Sequence, residues 1–139
     1  MTLPREAPPL RPWRPGLHGL ALVLGMACGA GCASLRPGSG DKETGLASYY
    51  HDSLAGRRTA SGERYDPGAA TCAHRTHPFG TRLRVRNVES GREVTCRVND
   101  RGPFVSGRVV DLSRSLATRL GITRTGVARV EVSVVSRPR

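Results

Sequence analysis

One carboxylate lies where a strand pattern meets a turn. The apolar residues of the segment 94–98 alternate with polar ones, which is typical of a strand with one buried face. Continuing the buried phase by two residues places Asp100 on the inward side at the strand end, directly before Gly102 and Pro103. An aspartate there either caps the turn by accepting backbone N–H groups or lines a cleft, where it could transfer protons. The alternation leaves both interpretations open.

The elements that must position this residue are mainly strands. Two alternating segments, 82–86 and 93–98, are separated by a turn and predict a β-hairpin, and a third strand is predicted over 129–134. A short helix is predicted over 113–120, with Ser113 as its N-terminal cap. With 17 Gly and 10 Pro in 139 residues, the pattern favours a mainly β fold, a small barrel with one or two short helices.

The N-terminal segment resembles an export signal. Arginines precede the apolar run 17–27, which is too short to span a bilayer, and small residues follow it. Because Ala30-Gly31 directly before Cys32 is similar to a bacterial lipobox, residues 1–31 are expected to be a lipoprotein signal peptide and Cys32 the lipidated N-terminus. Cys28 is a less suitable lipidation site. Ordinary cleavage to a soluble periplasmic protein is the alternative.

The rest of the chain has room for one domain. Residues 32–44 carry the lipid and are polar and rich in Gly and Pro, which predicts a flexible tether. A single domain is predicted over 45–135, and 136–139 form a short tail. A length of 139 residues excludes a large multidomain enzyme.

Two cysteines and one histidine lie on buried phases of the predicted strands. With Cys28 removed and Cys32 acylated, Cys72 and Cys96 remain, and an even count in an oxidising compartment favours a disulfide over two buried free thiols. His74 shares the phase of Cys72. The histidines have no ligand spacing with one another or with the cysteines, so no metal and no cofactor are expected.

The charge predicts an anionic partner or surface. Lys and Arg number 22 against 11 Asp and Glu, a formal net charge of +11. Nucleic acid is not the expected partner, because the aromatic residues form no stacking motif and an exported protein rarely meets nucleic acid. The arginines of the segment 82–86 are expected to form a solvated strand face or to contact the anionic partner.

Three segments, taken together, match a known family. They are GRRTASGERYD from residue 56, AHRTHPFGT from residue 73, and RVNDRGPF from residue 97 followed by GRVVDLS from residue 107. In this order they resemble the rare lipoprotein A (RlpA-like) family. The resemblance implies a six-stranded double-psi β-barrel. It also implies lytic transglycosylase activity that cleaves the β-1,4 bond between N-acetylmuramic acid (MurNAc) and N-acetylglucosamine (GlcNAc) in stem-peptide-poor peptidoglycan strands, leaving 1,6-anhydroMurNAc ends, in wall remodelling or daughter-cell separation.

The resemblance also implies site residues. The functional acids of the family correspond to Glu63 and Asp100, and the functional histidine corresponds to His74. Asp100 is expected to be the acid and base, Glu63 to stabilise oxocarbenium charge or orient the sugar, and His74 to hydrogen-bond the carboxylate or the substrate. Arg101 and Arg108 are each either an ion-pair partner of Asp111 or a substrate contact. The expected substrate-binding residues are Tyr65, Arg75, Asn99 and Arg101.

Partners and location follow from the same resemblance. The expected partners are peptidoglycan strands and a membrane reached through the lipid, and divisome or cell-wall amidase partners enter consideration. The expected location is the periplasmic side of the envelope, anchored to the outer membrane. Relatives often carry a glycan-binding SPOR domain, and none is expected here. The alternative function is a non-catalytic peptidoglycan-binding lipoprotein, in which the two acids and the histidine bind glycan without cleaving it.

Overall fold

Six strands form a closed barrel in this computed structural model, which describes residues 41–139. The strands follow the cyclic order β1-β5-β2-β4-β3-β6, and a 3-10 helix and one α-helix (α1) lie in the connections. The elements are β1 Lys42–Tyr49, the 3-10 helix Asp52–Leu54, β2 Thr71–Ala73, β3 Arg82–Asn87, β4 Glu93–Asp100, β5 Arg108–Leu112, α1 Arg114–Leu120 and β6 Ala128–Ser136. This architecture confirms the predicted mainly β barrel with short helices.

Alternation correctly located the hairpin. Strands β3 and β4 pair antiparallel, with Leu83 opposite Cys96 and Val85 opposite Val94, and all four side chains are buried. Strand β6 pairs antiparallel with β3 and with β1, which closes the barrel. Two pairs are parallel, β1 with β5 and β2 with β4, and parallel neighbours need long crossover connections. The segments 50–70, between β1 and β2, and 74–81, between β2 and β3, are long enough to build a site.

The helix begins one residue later than predicted and ends where predicted. Ser113 is at the N-cap position, but its side chain makes no capping hydrogen bond to the helix backbone. Gly121 ends the helix with φ 80°, a left-handed conformation that glycine adopts at little cost. The helix buries Leu116, Ala117 and Leu120 against the barrel core.

The barrel interior is filled mainly by Val and Leu side chains. A disulfide joins Cys72 to Cys96 within this core, linking β2 to β4 across a sequence separation of 24 residues. The fully buried side chains include Leu83, Val85, Val98, Val110, Leu112, Val130 and Val132.

The barrel begins earlier than the sequence predicts. Residues 42–44 are predicted in the tether, but they start β1, because Lys42 pairs with Ser133 and the following residues continue this ladder along β6. An ion pair between Asp41 and Arg137 lies beside this ladder and joins the two ends of the described chain. The predicted signal peptide 1–31, the lipidation of Cys32 and the tether up to residue 40 lie outside the described residues. Within 41–139, no helix is long and apolar enough to cross a membrane.

Candidate active site

A β-bulge sets the direction of the Asp100 side chain. Cys72 lies opposite Val98 and Ala73 lies opposite Asp100, so Asn99 is an extra residue in β4. Asn99 is buried and Asp100 is half-buried at the strand end. Simple alternation predicts Asp100 on the inward side, whereas the bulge shifts this phase and leaves Asp100 half-buried at the strand end.

Three donors hold the Asp100 carboxyl group. The Tyr50 hydroxyl donates to Oδ2 at 2.6 Å, and the backbone N–H groups of Ala60 and Arg101 each donate to Oδ1 at 2.8 Å. Burial and the neighbouring Asp100 raise the pKa of Tyr50 above its ordinary value, so its hydroxyl stays protonated and acts as a donor. Tyr50 is not among the site residues predicted from the sequence, in which nothing but its position directly after β1 marks it.

Asp100 also lines a cavity of about 160 Å³. Two of the cavity residues, Tyr50 and Tyr65, have ring centroids 4.8 Å apart. The Tyr65 hydroxyl accepts the Arg114 backbone N–H at 3.2 Å, so its ring is fixed. Asp100 is therefore both a turn cap and a cleft residue, which resolves the two interpretations of its position. The lining residues are Tyr50, Leu54, Arg57, Arg58, Thr59, Tyr65 and Asp100.

Glu63 is anchored by two side chains of β4. The Arg97 guanidinium donates to both carboxylate oxygens, at 2.7 and 2.9 Å, and the Asn99 side-chain amide donates at 3.1 Å. These hydrogen bonds lower the pKa of Glu63 to about 2, so the group is an anion at neutral pH. Asn99, a predicted substrate contact, is 3% exposed and orients Glu63. The loop that carries Glu63 also supplies the Ala60 N–H to Asp100.

His74 does not contact the Asp100 carboxylate through its ring. Its Nδ1 accepts the backbone N–H groups of Thr76 and His77, both at 3.2 Å. The proton is therefore on Nε2, which donates to the Glu43 carboxylate at 3.0 Å. With the ring buried and both nitrogens occupied, the expectation that His74 hydrogen-bonds the Asp100 carboxylate is wrong, and the alternative, a hydrogen bond to the substrate, stays a prediction. Only its backbone N–H reaches the carbonyl oxygen of Asp100, at 3.2 Å.

Two predicted substrate-binding arginines brace the loop after β2. The Arg101 guanidinium lies 3.9 Å from the centroid of the Phe79 ring and donates to the carbonyl oxygens of His74 and His77. Arg75 lies 3.6 Å from the Glu43 carboxylate. These contacts hold the loop 74–79 beside β1 and β4.

The ion-pair partner of Asp111 is Arg108. These two side chains are bonded to each other and to the Ser48 hydroxyl, and no hydrogen bond or ion pair joins Arg101 to Asp111.

The predicted site residues fall into three groups. Asp100 and Tyr65 share the cavity, Glu63 and Asn99 are bonded beside it, and His74, Arg75 and Arg101 form a structural network. Among residues 41–139, no group of three His, Cys, Asp or Glu side chains is arranged to hold a metal ion.

Comparison with known proteins identifies the family of the chain. The family model described as lytic transglycolase matches residues 42–132. The chain belongs to the RlpA-like lytic transglycolase family. It is 55% identical over 95 residues to a probable endolytic peptidoglycan transglycosylase RlpA of Nostoc, covering 67% of this chain and 26% of that protein. It is 44% identical over 101 residues to endolytic peptidoglycan transglycosylase RlpA of Pasteurella multocida, covering 73% and 34%. The chain thus spans about a quarter to a third of the length of these relatives.

Solved structures agree with the family assignment at the level of fold. Streptomyces papain inhibitor has a TM-score of 0.57 at 25% identity, covering 70% of this chain and 96% of that one. The Clavibacter michiganensis expansin has a TM-score of 0.57 at 20% identity, covering 71% and 52%. Together with the family model, they confirm the double-psi β-barrel that the sequence motifs implied.

The Glu63–Arg97 pair of this lytic transglycolase barrel predicts a pH-dependent stability difference. Arg97→Gln removes the main cause of the lowered pKa of Glu63, which then rises toward its ordinary 4.5. A depressed pKa in the folded state stabilises above pH 4.5, and this stabilisation is lost as the pH falls toward 2. Because the pair is partly exposed, the variant is expected to lose less than about 1 kcal/mol at pH 7.

Urea unfolding of wild type and Arg97→Gln at pH 7, at about pH 4.5 and at about pH 3 measures this difference. The gap between the two proteins should be full at pH 7 and shrink at the lowest pH. Arg124→Gln, which removes an exposed arginine outside these contacts, is the control and should show no such trend. If the difference in unfolding free energy between the two proteins did not change with pH, the ion pair with Arg97 would not be what lowers the pKa of Glu63.

Proposed function

We propose that this chain is an endolytic peptidoglycan lytic transglycosylase that cleaves the β-1,4 bond between MurNAc and GlcNAc and leaves 1,6-anhydroMurNAc ends. Family membership and the names of the relatives support it. The observation that carries the proposal is that Asp100 is the one carboxylate lining the cavity within residues 41–139. Ordinary glycosidases need two carboxylic residues flanking the scissile bond, whereas a lytic transglycosylase uses the sugar's own hydroxyl and needs one.

The chemistry runs through the Asp100 carboxyl group. In its protonated form it donates its proton to the glycosidic oxygen, and the bond from that oxygen to the MurNAc C1 breaks. The resulting carboxylate accepts the proton of the MurNAc C6 hydroxyl as O6 bonds to C1, so no water is consumed. Tyr50 and the N–H groups of Ala60 and Arg101 hold the carboxyl group in one orientation. Glu63 remains anionic and stabilises the positive charge that develops on the sugar ring.

Substrate preference and location are finer parts of the proposal. The preferred substrate is glycan poor in stem peptides, the kind of strand that cell-wall amidases produce. The protein acts on the periplasmic side of the envelope, anchored to the outer membrane through a lipid on Cys32, in wall remodelling or daughter-cell separation beside the divisome. The export and lipobox-like sequence patterns support this location.

The direct test is incubation of the purified chain with amidase-stripped glycan strands, followed by mass spectrometry of the soluble products. Glycan fragments that lack stem peptides and end in 1,6-anhydroMurNAc are the expected result. A protein that binds the strands and releases no fragments would instead be the non-catalytic glycan-binding lipoprotein, and reducing-end products would show hydrolysis by water in place of the transglycosylase reaction.

Tyr50→Phe tests the positioning of the acid. The substitution keeps the ring that lines the cavity and removes the hydroxyl that donates to Asp100 at 2.6 Å. A hydrogen bond to a charged group contributes about 1.5 to 3 kcal/mol, so kcat is expected to fall about 10- to 100-fold. KM should change little, because the aromatic wall is retained.

Tyr49→Phe is the matched control for Tyr50→Phe. The Tyr49 hydroxyl donates to the backbone carbonyl of Thr123, away from Asp100, so this variant should keep its kcat. An unchanged kcat in Tyr50→Phe would show that the two backbone N–H groups alone are enough to orient the acid.

A further inference from the structure

A second concave surface lies on the outside of the barrel. Two hollows of about 250 and 400 Å³ share Arg84 and Glu93. The first is also lined by Lys42, Arg86, Glu131 and Ser133, and the second by Val94, Thr95 and Arg119. We call the two hollows together the basic groove.

The basic groove carries more positive than negative charge. Arg86 lies 3.8 Å from the Glu93 carboxylate and 3.6 Å from that of Glu131, so both acids form ion pairs with this one arginine. None of the ion pairs within residues 41–139 includes Lys42, Arg84 or Arg119. The groove therefore has four cationic and two acidic side chains, with the excess centred on Arg84.

Strand pairing adds to this excess at one edge of the groove. Arg82 is the preceding outward residue of β3 and lies directly opposite Arg97 of β4. Arg97 is bonded to Glu63, and Arg82 has no ion pair within the described chain. Glu63 compensates the charge of Arg97, so the charge left without a partner at this edge is that of Arg82, which an anionic ligand would neutralise.

We propose that the basic groove, with Arg82 at its edge, is a second, non-catalytic binding site for the carboxylates of peptidoglycan stem peptides. The choice of ligand rests on the proposed function, which places the protein at the wall. The hollows suit short charged branches that project from a strand. The groove presents no exposed large apolar side chain to enter a lipid surface, since its one large apolar residue, Val94, is 3% exposed.

The basic groove and the catalytic cavity are separate. They share no lining residue, and Thr95 precedes Asp100 by five residues on β4, a distance of about 17 Å along the strand. One molecule can therefore hold peptide-bearing wall through the groove while its cavity takes a bare glycan strand. The proposed preference for stripped glycan and attachment to intact wall are then compatible.

Binding to insoluble wall tests the proposal. Arg82→Gln/Arg84→Gln is made in the Asp100→Asn background, which prevents cleavage. Pull-down is measured with intact sacculi and with amidase-stripped sacculi, whose glycan strands are coupled to beads because loss of the peptide cross-links makes them soluble. Affinity for intact sacculi should fall about tenfold, since exposed ion pairs are worth up to about 1 kcal/mol each. Affinity for stripped sacculi should not change. The loss on intact sacculi should fade at high salt, which screens surface charges.

Arg124→Gln/Arg139→Gln removes the same charge at exposed positions outside the groove and should bind both kinds of sacculi like the parent. Thermal unfolding of all variants checks that they fold. Equal loss on intact and stripped sacculi, or no loss, overturns the proposal. The proposal is also overturned if Arg82→Gln/Arg84→Gln binds both kinds of sacculi like the parent but loses binding to vesicles of phosphatidylglycerol and phosphatidylcholine. That result would assign the groove to the membrane surface.

Product release separates this proposal from the proposed function. With Asp100 retained, Arg82→Gln/Arg84→Gln should release anhydro ends from stripped glycan at the wild-type rate. If wild type releases none while the groove variant still loses affinity for intact sacculi, the proposed catalysis fails and the groove assignment stands.

Discussion

Asp100→Asn is expected to lower the release of anhydro-ended products about 10²- to 10⁴-fold, the usual contribution of general acid–base catalysis. An amide cannot donate a proton to the glycosidic oxygen and then accept one from the C6 hydroxyl. The remaining aromatic and cationic walls of the cavity are unchanged, so glycan binding should persist. The measurement is mass spectrometry of products from stripped glycan, with binding followed in parallel by pull-down with bead-coupled strands.

The Asp100→Asn fold should be intact because asparagine preserves the local hydrogen bonds. Its side-chain oxygen can accept the N–H groups of Ala60 and Arg101, and its amide nitrogen can donate to the Tyr50 oxygen. Asp52→Asn is the matched control, because Asp52 is an exposed acid of the 3-10 helix. Product release by Asp100→Asn at the rate of this control would refute the assignment of Asp100 as the acid.

Loss of the Cys72–Cys96 disulfide is the second large expected effect, and it acts on stability. The bond closes a loop with a sequence separation of 24 residues, which the chain-entropy model values at about 3 to 4 kcal/mol. Cys72→Ala/Cys96→Ala is therefore expected to lower the melting temperature by more than about 10 °C. For a barrel this small, that is a large share of a total stability of about 5 to 15 kcal/mol.

Reduction of the wild-type protein is the control for the double cysteine variant. If the cross-link is the cause, dithiothreitol should lower the melting temperature of wild type toward that of the variant and leave the variant unchanged. A variant that melts with oxidised wild type would show that core packing around residues 72 and 96 is sufficient without the bond.

Sequence patterns predicted the strands in which buried and exposed residues alternate, and the helix whose end is marked by a glycine. Strands β3, β4 and β6 each have one wet and one buried face, so a period of two is visible in them, and α1 ends at a glycine with a left-handed backbone. The start of β1 was missed because residues 42–44 are polar, and polar strand ends look like tether. Strand β2 has three residues, all buried, which is too short for any period.

The candidate site was only partly visible for a different reason. Strand phase and motif pointed to Asp100, but its partners Tyr50 and Ala60 are 50 and 40 residues away in sequence, and barrel closure alone brings them together. The resemblance implied that His74 bonds the carboxylate or the substrate, and its actual partner Glu43, 31 residues away, was predicted in the tether. Residue types identify candidate acids and bases, whereas the side chains they contact depend on the tertiary fold.

The meeting of the two ends of the described part, residues 41–139, beside the β1–β6 ladder has a consequence for topology. Asp41 and Arg137 form an ion pair there, so a short linker could join residue 139 to residue 41 without crossing the barrel. The chain could then be opened at the exposed turn 89–91 of the β3–β4 hairpin. Such a circular permutant keeps the cyclic order of the six strands. It would also move the point of attachment to any anchor from β1 to the hairpin, and so reorient the barrel relative to that anchor.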